Sequence, residues 1–305
     1  MRKLTFRPGN RGAARNATRV QCGMLAARHL IFTDLDGTLL DARTYSWAGA
    51  EPALAEIERR RIPLILVTSK TRAEVEPLRR KLGHAHPFVT ENGGGVFIPD
   101  GYFNLKIPGV ERHTRYLCLP LARPYNEALA ALEEISKAAG VSVVGFHDMT
   151  AREIAQNTGL GPRDAEFARQ RDFDEPFFFA GASDAAIRAF QQEAARRKIT
   201  LTFGGRFWHL ALGADKGRAV RELIKLYRTG LRTRLTTVGL GNSQSDLPLL
   251  RAVNQPVLIP DAQGNFDQQV LKALPKIHRA EHAGPAGWSE AVLHLIAAPT
   301  RSQVT

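Results

Sequence analysis

The chain has 305 residues, 44% hydrophobic and 24% charged, an ordinary globular composition with room for about two domains, so disorder is not the default. Its longest apolar runs, residues 62–67 and 295–298, fall far short of the roughly 18 to 20 residues that a membrane-crossing helix needs, so no span is expected. The formal charge of +12 is concentrated at one end: residues 1–28 carry Arg2, Lys3, Arg7, Arg11, Arg15, Arg19 and Arg28 and no acid, and the mildly basic remainder argues against a nucleic-acid partner.

That leader reads as a disordered tail or as sequence upstream of a start at Met24, a transit peptide being the other reading. Cys22 and Cys118 have no partner at metal-ligand or thioredoxin-like spacing, so no disulfide framework is expected and a reducing cytoplasm is the natural setting. From His29 on, short apolar runs alternate with amphipathic stretches, the pattern of an α/β fold with a parallel sheet covered by helices. Residues 29–33 read as a buried strand, 51–61 as a helix, 62–67 as a strand, 72–82 as a helix and 88–90 as a strand. Gly93-Gly94-Gly95 then marks a tight turn where backbone approaches a neighbour or a ligand.

Near residue 110 the texture changes. Helices over 129–139, 164–171 and 185–198 mix with strands over 141–145 and 176–180, which suggests an α+β insert. The α/β pattern resumes with a helix over 216–227, a strand over 235–239, a helix from about 246 to 252 and a final strand over 256–259. The expected division is a core of 29–112 and 207–298, an insert of 113–206, and a tail of 299–305.

Asp34-Leu35-Asp36-Gly37-Thr38-Leu39-Leu40 directly follows the first strand. Open α/β sheets bind ligands at the carboxyl ends of their strands, and Gly37 lets a second carboxylate turn back toward the same place. Two aspartates alone are as readily a turn or a helix cap; the whole string is more specific. Thr68 and Ser69 end the next strand. In Asp215-Lys216-Gly217, Asp215 is placed to cap a helix with Lys216 in its first turn. Gly239-Leu240-Gly241-Asn242-Ser243-Gln244-Ser245-Asp246 runs from a strand end into a helix. Neither a His-Glu-x-x-His helix nor a Walker-type phosphate loop occurs.

These four segments, in this order, resemble the motifs of the haloacid dehalogenase superfamily. The resemblance implies a Rossmann-like core with a C2-type cap, and a Mg2+-dependent phosphatase in which Asp34 is the nucleophile and Asp36 the general acid and base. It further implies that Thr68 binds the phosphoryl group, that Lys216 offsets charge, and that Asp34, Asp36, Asn242 and Asp246 hold the metal. The family normally has aspartate where Asn242 stands; asparagine still offers a carbonyl oxygen to a hard cation but removes a charge. Val67 to Arg72, Phe88 to Pro99, Arg171 to Phe177 and Gly204 to Leu210 are similar to the mannosyl-3-phosphoglycerate phosphatase family. The implied partner is a small phosphorylated sugar or glycerate, with Lys70, Asn92 and Arg206 as candidate contacts. A glucosyl-3-phosphoglycerate or broader sugar phosphate is the alternative, and a weakly catalytic binding or regulatory protein is the rival from another class.

Overall fold

The computed structural model describes residues 29–204, 206–231 and 235–297; the expected leader and the tail of 299–305 lie outside them. The strands are β1 (His29–Thr33), β2 (Leu64–Val67), β3 (Phe88–Thr90), β4 (Gly95–Pro99), β5 (Glu111–His113), β6 (Tyr116–Pro120), β7 (Val143–Gly145), β8 (Asp174–Phe179), β9 (Leu201–Phe203), β10 (Trp208–Ala211), β11 (Thr236–Gly241), β12 (Gln255–Leu258) and β13 (His278–Arg279). The helices are α1 (Glu51–Arg60), α2 (Arg72–Lys81), α3 (Tyr125–Ala139), α4 (Ala151–Thr158), α5 (Pro162–Ala168), α6 (Asp184–Arg196), α7 (Lys216–Leu231), α8 (Leu247–Arg251), α9 (Gln268–Ala273) and α10 (Gly284–Ala297).

The larger sheet has the order β13-β12-β11-β1-β2-β3-β4-β6-β5. Its run from β13 to β3 is parallel, and β4, β6 and β5 extend it in antiparallel fashion. The sheet is therefore mixed rather than purely parallel, because the chain doubles back after β3 through a glycine turn instead of a helical crossover. Alternation along β1 and β2 sends Ile31, Leu64 and Leu66 to one face and Leu30, Phe32, Ile65 and Val67 to the other. Both faces are covered, the first by α1 and α10, which contribute Ile57 and Trp288, and the second by α7 and α8, which contribute Leu223 and Leu250. That double burial is why these strands read as unbroken apolar runs.

The smaller sheet, β7-β8-β10-β9, is antiparallel. One cluster packs α3 and α6 against it through Leu132, Ile135, Phe177, Phe190 and Leu210. A second gathers Phe146, Ile154, Ala165 and Phe207 around α4 and α5. Sheet membership departs from the expected boundaries: β6 pairs in the larger sheet beyond residue 113, and β10 pairs in the smaller one beyond residue 207. The strand over 256–259 is not the last, since β13 and α10 follow it. Helix α4 was not expected, although Thr150 and Glu153 form a capping box at its start. Among the described residues no helix is long and apolar enough to cross a membrane.

Candidate active site

In the larger sheet Thr33 lies level with Leu240 on one side and Leu66 on the other, so Asp34, Thr68 and Asn242 leave β1, β2 and β11 at the same edge. Asp34 donates its backbone N–H to the Leu240 carbonyl at 2.9 Å. Lys216 Nζ donates to Asp34 Oδ1 at 2.9 Å and to Asp246 Oδ1 at 2.7 Å. All three side chains are buried. Burial, and then the charge of Asp246, lift the Asp34 carboxyl to about 7 against the pull of Lys216. Burial works to lower the lysine's pKa, but the Asp246 and Asp34 carboxylates overcome it and hold the ammonium above its ordinary value.

Lys216 reaches this place because Asp215 Oδ1 caps α7 by accepting from the Arg218 N–H at 2.9 Å. The turn after β3 packs on the same point: Gly93 has φ +96°, and a Cβ there would lie 2.3 Å from the Asp215 carbonyl carbon. The expected close approach of backbone at the glycine triplet is thus to the lysine loop. Asp246 Oδ2 accepts from the N–H groups of Asn242 at 3.0 Å and Ser243 at 3.2 Å. Both oxygens of Asp246, expected to hold metal, are therefore engaged by Lys216 and by its own turn.

Asp36 Oδ2 pairs with Lys70 Nζ at 2.8 Å, while its Oδ1 is buried and has no hydrogen-bond partner among the described residues. Thr68 Oγ1 accepts from the Lys70 N–H at 3.1 Å. Gly37 has φ +76°, and a Cβ at this position would come within 2.4 Å of Asn242 Nδ2, so the glycine lets the loop pass directly over the asparagine side chain.

A cavity of about 610 Å³ opens between the two sheets, lined on one side by Asp36, Tyr45, Lys70 and Asn242 and on the other by Arg206 and His209. Lys70 and Arg206 thus stand where a ligand would meet them, although Arg206 also donates to the Asn157 carbonyl at 2.9 Å. Asn92 does not line it. Its left-handed φ of +57° turns the side chain toward the smaller sheet, where Nδ2 donates to Asp174 Oδ2 at 2.8 Å.

Asn92 belongs to a buried network that joins the sheets and that motif spacing did not point to. The Glu91 carboxylate accepts from the N–H groups of Asp172, Phe173 and Asp174 at 2.7 to 3.1 Å. Arg171 donates to the Asp174 carboxylate at 3.2 Å and to the Ser69 carbonyl at 3.0 Å. His209 Nδ1 lies 3.0 Å from Asp174 Oδ1. The available signal was a charged run, Arg171-Asp172-Phe173-Asp174-Glu175, entering a strand whose Asp174 and Glu175 are wholly buried; ionised groups so placed require partners.

The side-chain oxygens at the sheet edge suit a hard divalent cation: the buried Asp34 carboxylate and the Asn242 amide oxygen. Among the described residues the side-chain oxygens of Asp34, Asp36 and Asp246 do not form a closed cluster of three ligands. An ion that keeps several waters and takes substrate oxygens fits such a place.

A model of the haloacid dehalogenase-like hydrolases matches residues 31–104, the segment that holds Asp34, Asp36 and Thr68. A glucosyl-3-phosphoglycerate/mannosyl-3-phosphoglycerate phosphatase of Methanococcoides burtonii is 40% identical over 269 residues, covering 88% of this chain and 97% of its own length. The chain belongs to that phosphatase family. A mannosyl-3-phosphoglycerate phosphatase of Pyrococcus furiosus is 31% identical over 232 residues, covering 76% of this chain and 91% of its own. Among solved structures, a Thermoplasma acidophilum protein superposes with a TM-score of 0.63 at 19% identity, covering 89% of this chain and all of its own, which speaks for the fold. As a member of this phosphatase family, the chain is a phosphoric monoester hydrolase with a haloacid dehalogenase-like α/β fold. Phosphatases of this kind generally use a divalent metal ion.

Proposed function

We propose that the chain hydrolyses 2-O-mannosyl-3-phosphoglycerate, and its glucosyl counterpart, to the glycosylglycerate and phosphate, with Mg2+ as the metal. The observation that carries this is the Asp34–Lys216–Asp246 arrangement at the sheet edge beside a cavity with cations on both walls. The substrate bears a phosphate and a carboxylate, and Lys70 and Arg206 answer that charge. The dual name of the 40% identical relative supports including both hexoses. The magnesium ion, held by Asp34, the backbone carbonyl of Asp36 and Asn242, would offset the repulsion between two anions.

The chain's own groups then act in order. An Asp34 carboxylate oxygen attacks phosphorus and forms the acyl phosphate as the bond to the glycerate oxygen breaks. Asp36 acts as the general acid that delivers a proton to that leaving oxygen. Lys216 offsets the charge between Asp34 and the phosphoryl oxygens, and Thr68 donates its hydroxyl hydrogen to one of them. Asp246 orients Lys216. In the second half Asp36 takes a proton from water, which attacks phosphorus, and Asp34 is released with inorganic phosphate.

By sheet membership, the cap runs from about residue 121 to about 213, and the remainder of the described chain is the core. The sequence's two cysteines, whose spacing implies no disulfide framework, support a cytoplasmic setting. The test is Mg2+-dependent phosphate release from purified mannosyl- and glucosyl-3-phosphoglycerate, with a chelator control. Release from neither ester, with p-nitrophenyl phosphate still hydrolysed, would reject the substrate.

A further inference from the structure

Asp174 is wholly buried and gathers three side chains from separate segments: Asn92 Nδ2 at 2.8 Å, Arg171 Nη2 at 3.2 Å, and His209 Nδ1 at 3.0 Å. A carboxylate is an acceptor, so in the neutral imidazole the proton stays on Nδ1 and Nε2 is left with its lone pair. His209 lines the cavity between core and cap, as does Gly204, where a Cβ would lie 3.2 Å from His209 Nε2. That nitrogen has no hydrogen-bond partner among the described residues.

Its neighbours offer different chemistry. Arg171 also borders the cavity, but its nitrogens already donate to the carbonyls of Asp174, Ala168 and Ser69. Arg43, Lys70 and Arg206 present cations, which suit the anionic parts of a ligand. With Nδ1 turned to Asp174, a lone pair on Nε2 suits a hydroxyl. The same network also holds the phosphate end of the site in register: Arg171 Nη2 donates to the Ser69 carbonyl at 3.0 Å, and the Asn92 N–H donates to the Thr68 carbonyl at 3.0 Å. The imidazole is therefore set at a fixed place relative to the strand end that carries Thr68.

We propose that His209 is a specificity-determining residue whose Nε2 accepts a hydrogen bond from a hydroxyl of the sugar, and that Asp174 is the residue that positions it. This rests on the reading that the cavity holds a glycosyl-3-phosphoglycerate. A site built around a hydroxyl discriminates against ligands that lack it.

The experiment measures kcat and KM for mannosyl-3-phosphoglycerate, and the inhibition constant of 3-phosphoglycerate, which carries phosphate and carboxylate without the sugar. His209→Ala is expected to raise KM about 10-fold, the order of one lost hydrogen bond, and to move the inhibition constant by less than about 2-fold. Asp174→Asn should shift the same two quantities in the same direction with a smaller effect on kcat than on KM. If it does not fold by circular dichroism, His209→Ala alone decides. An equal rise in KM and in the inhibition constant would show that His209 reads the glycerate, and no rise would show that it is structural; either overturns the proposal. Wild-type enzyme that hydrolyses p-nitrophenyl phosphate but no glycosyl-3-phosphoglycerate would instead overturn the functional reading on which it rests.

Discussion

Asp34 meets Lys216 at 2.9 Å, and as the proposed nucleophile it is not replaceable by an amide, because asparagine has no carboxylate oxygen. Asp34→Asn is expected to lower kcat below about 1% of wild type, with circular dichroism unchanged and deamidation checked by mass spectrometry. At Asn242 a neutral amide oxygen attracts a divalent cation less than a carboxylate does. Asn242→Asp should accordingly reach half-maximal activity at a lower Mg2+ concentration. Asp246 enters this test as the competing ligand. An unchanged Mg2+ requirement in Asn242→Asp would mean that Asp246 already supplies the charge, despite its two engaged oxygens. The four motif residues Asp34, Asp36, Thr68 and Lys216 were legible in sequence because each sits at a strand end or in a helix's first turn, where local pattern fixes position. Glu91, Arg171, Asp174 and His209 were not, because, apart from the Arg171–Asp174 pair, their partners lie 35 to 102 residues away and no spacing rule links them.

Elements place these groups through turns more than through their own length. Gly93 has no room for a side chain: a Cβ would strike Asp215, whose side chain caps α7 and puts Lys216 beside Asp34. Gly93→Ala should therefore cost about 3 kcal/mol or more, since overpacking against backbone adds to the strain of a positive φ. Gly83→Ala is the control, with φ +62° and nothing within 4 Å of the added Cβ, and should cost about 1 kcal/mol. Thermal unfolding of both variants checks the difference; equal losses would mean that the contact with Asp215 is soft. The sequence showed β1, β2, α2 and α7 plainly, as runs buried on both faces or amphipathic with capping residues. It missed β4, β5, β6, β9, β10 and β13, which are short or read as loops until a neighbouring strand pairs with them.

Across the whole molecule, two buried polar networks carry stability. In the larger sheet His84 Nδ1 accepts from Arg79 Nε at 2.9 Å, which leaves Nε2 to donate to the Leu64 carbonyl at 2.7 Å, so this imidazole is held neutral. Burial, with Arg79 nearby, lowers the His86 pKa to about 4 and pushes His84 well below its ordinary value. The unfolded chain binds protons near 6.5 and the folded one does not, so stability rises with pH across this window and is lost as pH falls from about 6.5 toward 4. Each such histidine contributes about 1.4 kcal/mol per pH unit there. Melting temperature measured from pH 7 to 4 should fall, and His86→Asn should flatten part of the decline. At the joint between core and cap, Arg171→Met leaves Asp174 and Glu91 without their buried cation and should cost about 3 to 5 kcal/mol in urea unfolding. A loss below about 1 kcal/mol would mean that backbone amides alone hold the joint.

Sequence by itself determined the α/β core, the order of the four motifs and the candidate residues at the sheet edge, because apolar periodicity and strand-end position act over a few neighbours. It also marked the glycine turn as a place of close approach, without saying to what. The tertiary structure decided where each sheet ends, which residues face the cavity, and that the Asn92 side chain bonds to Asp174 at the joint. Those outcomes depend on pairings between distant segments, where burial obliges each charged group to find a partner that no local pattern names.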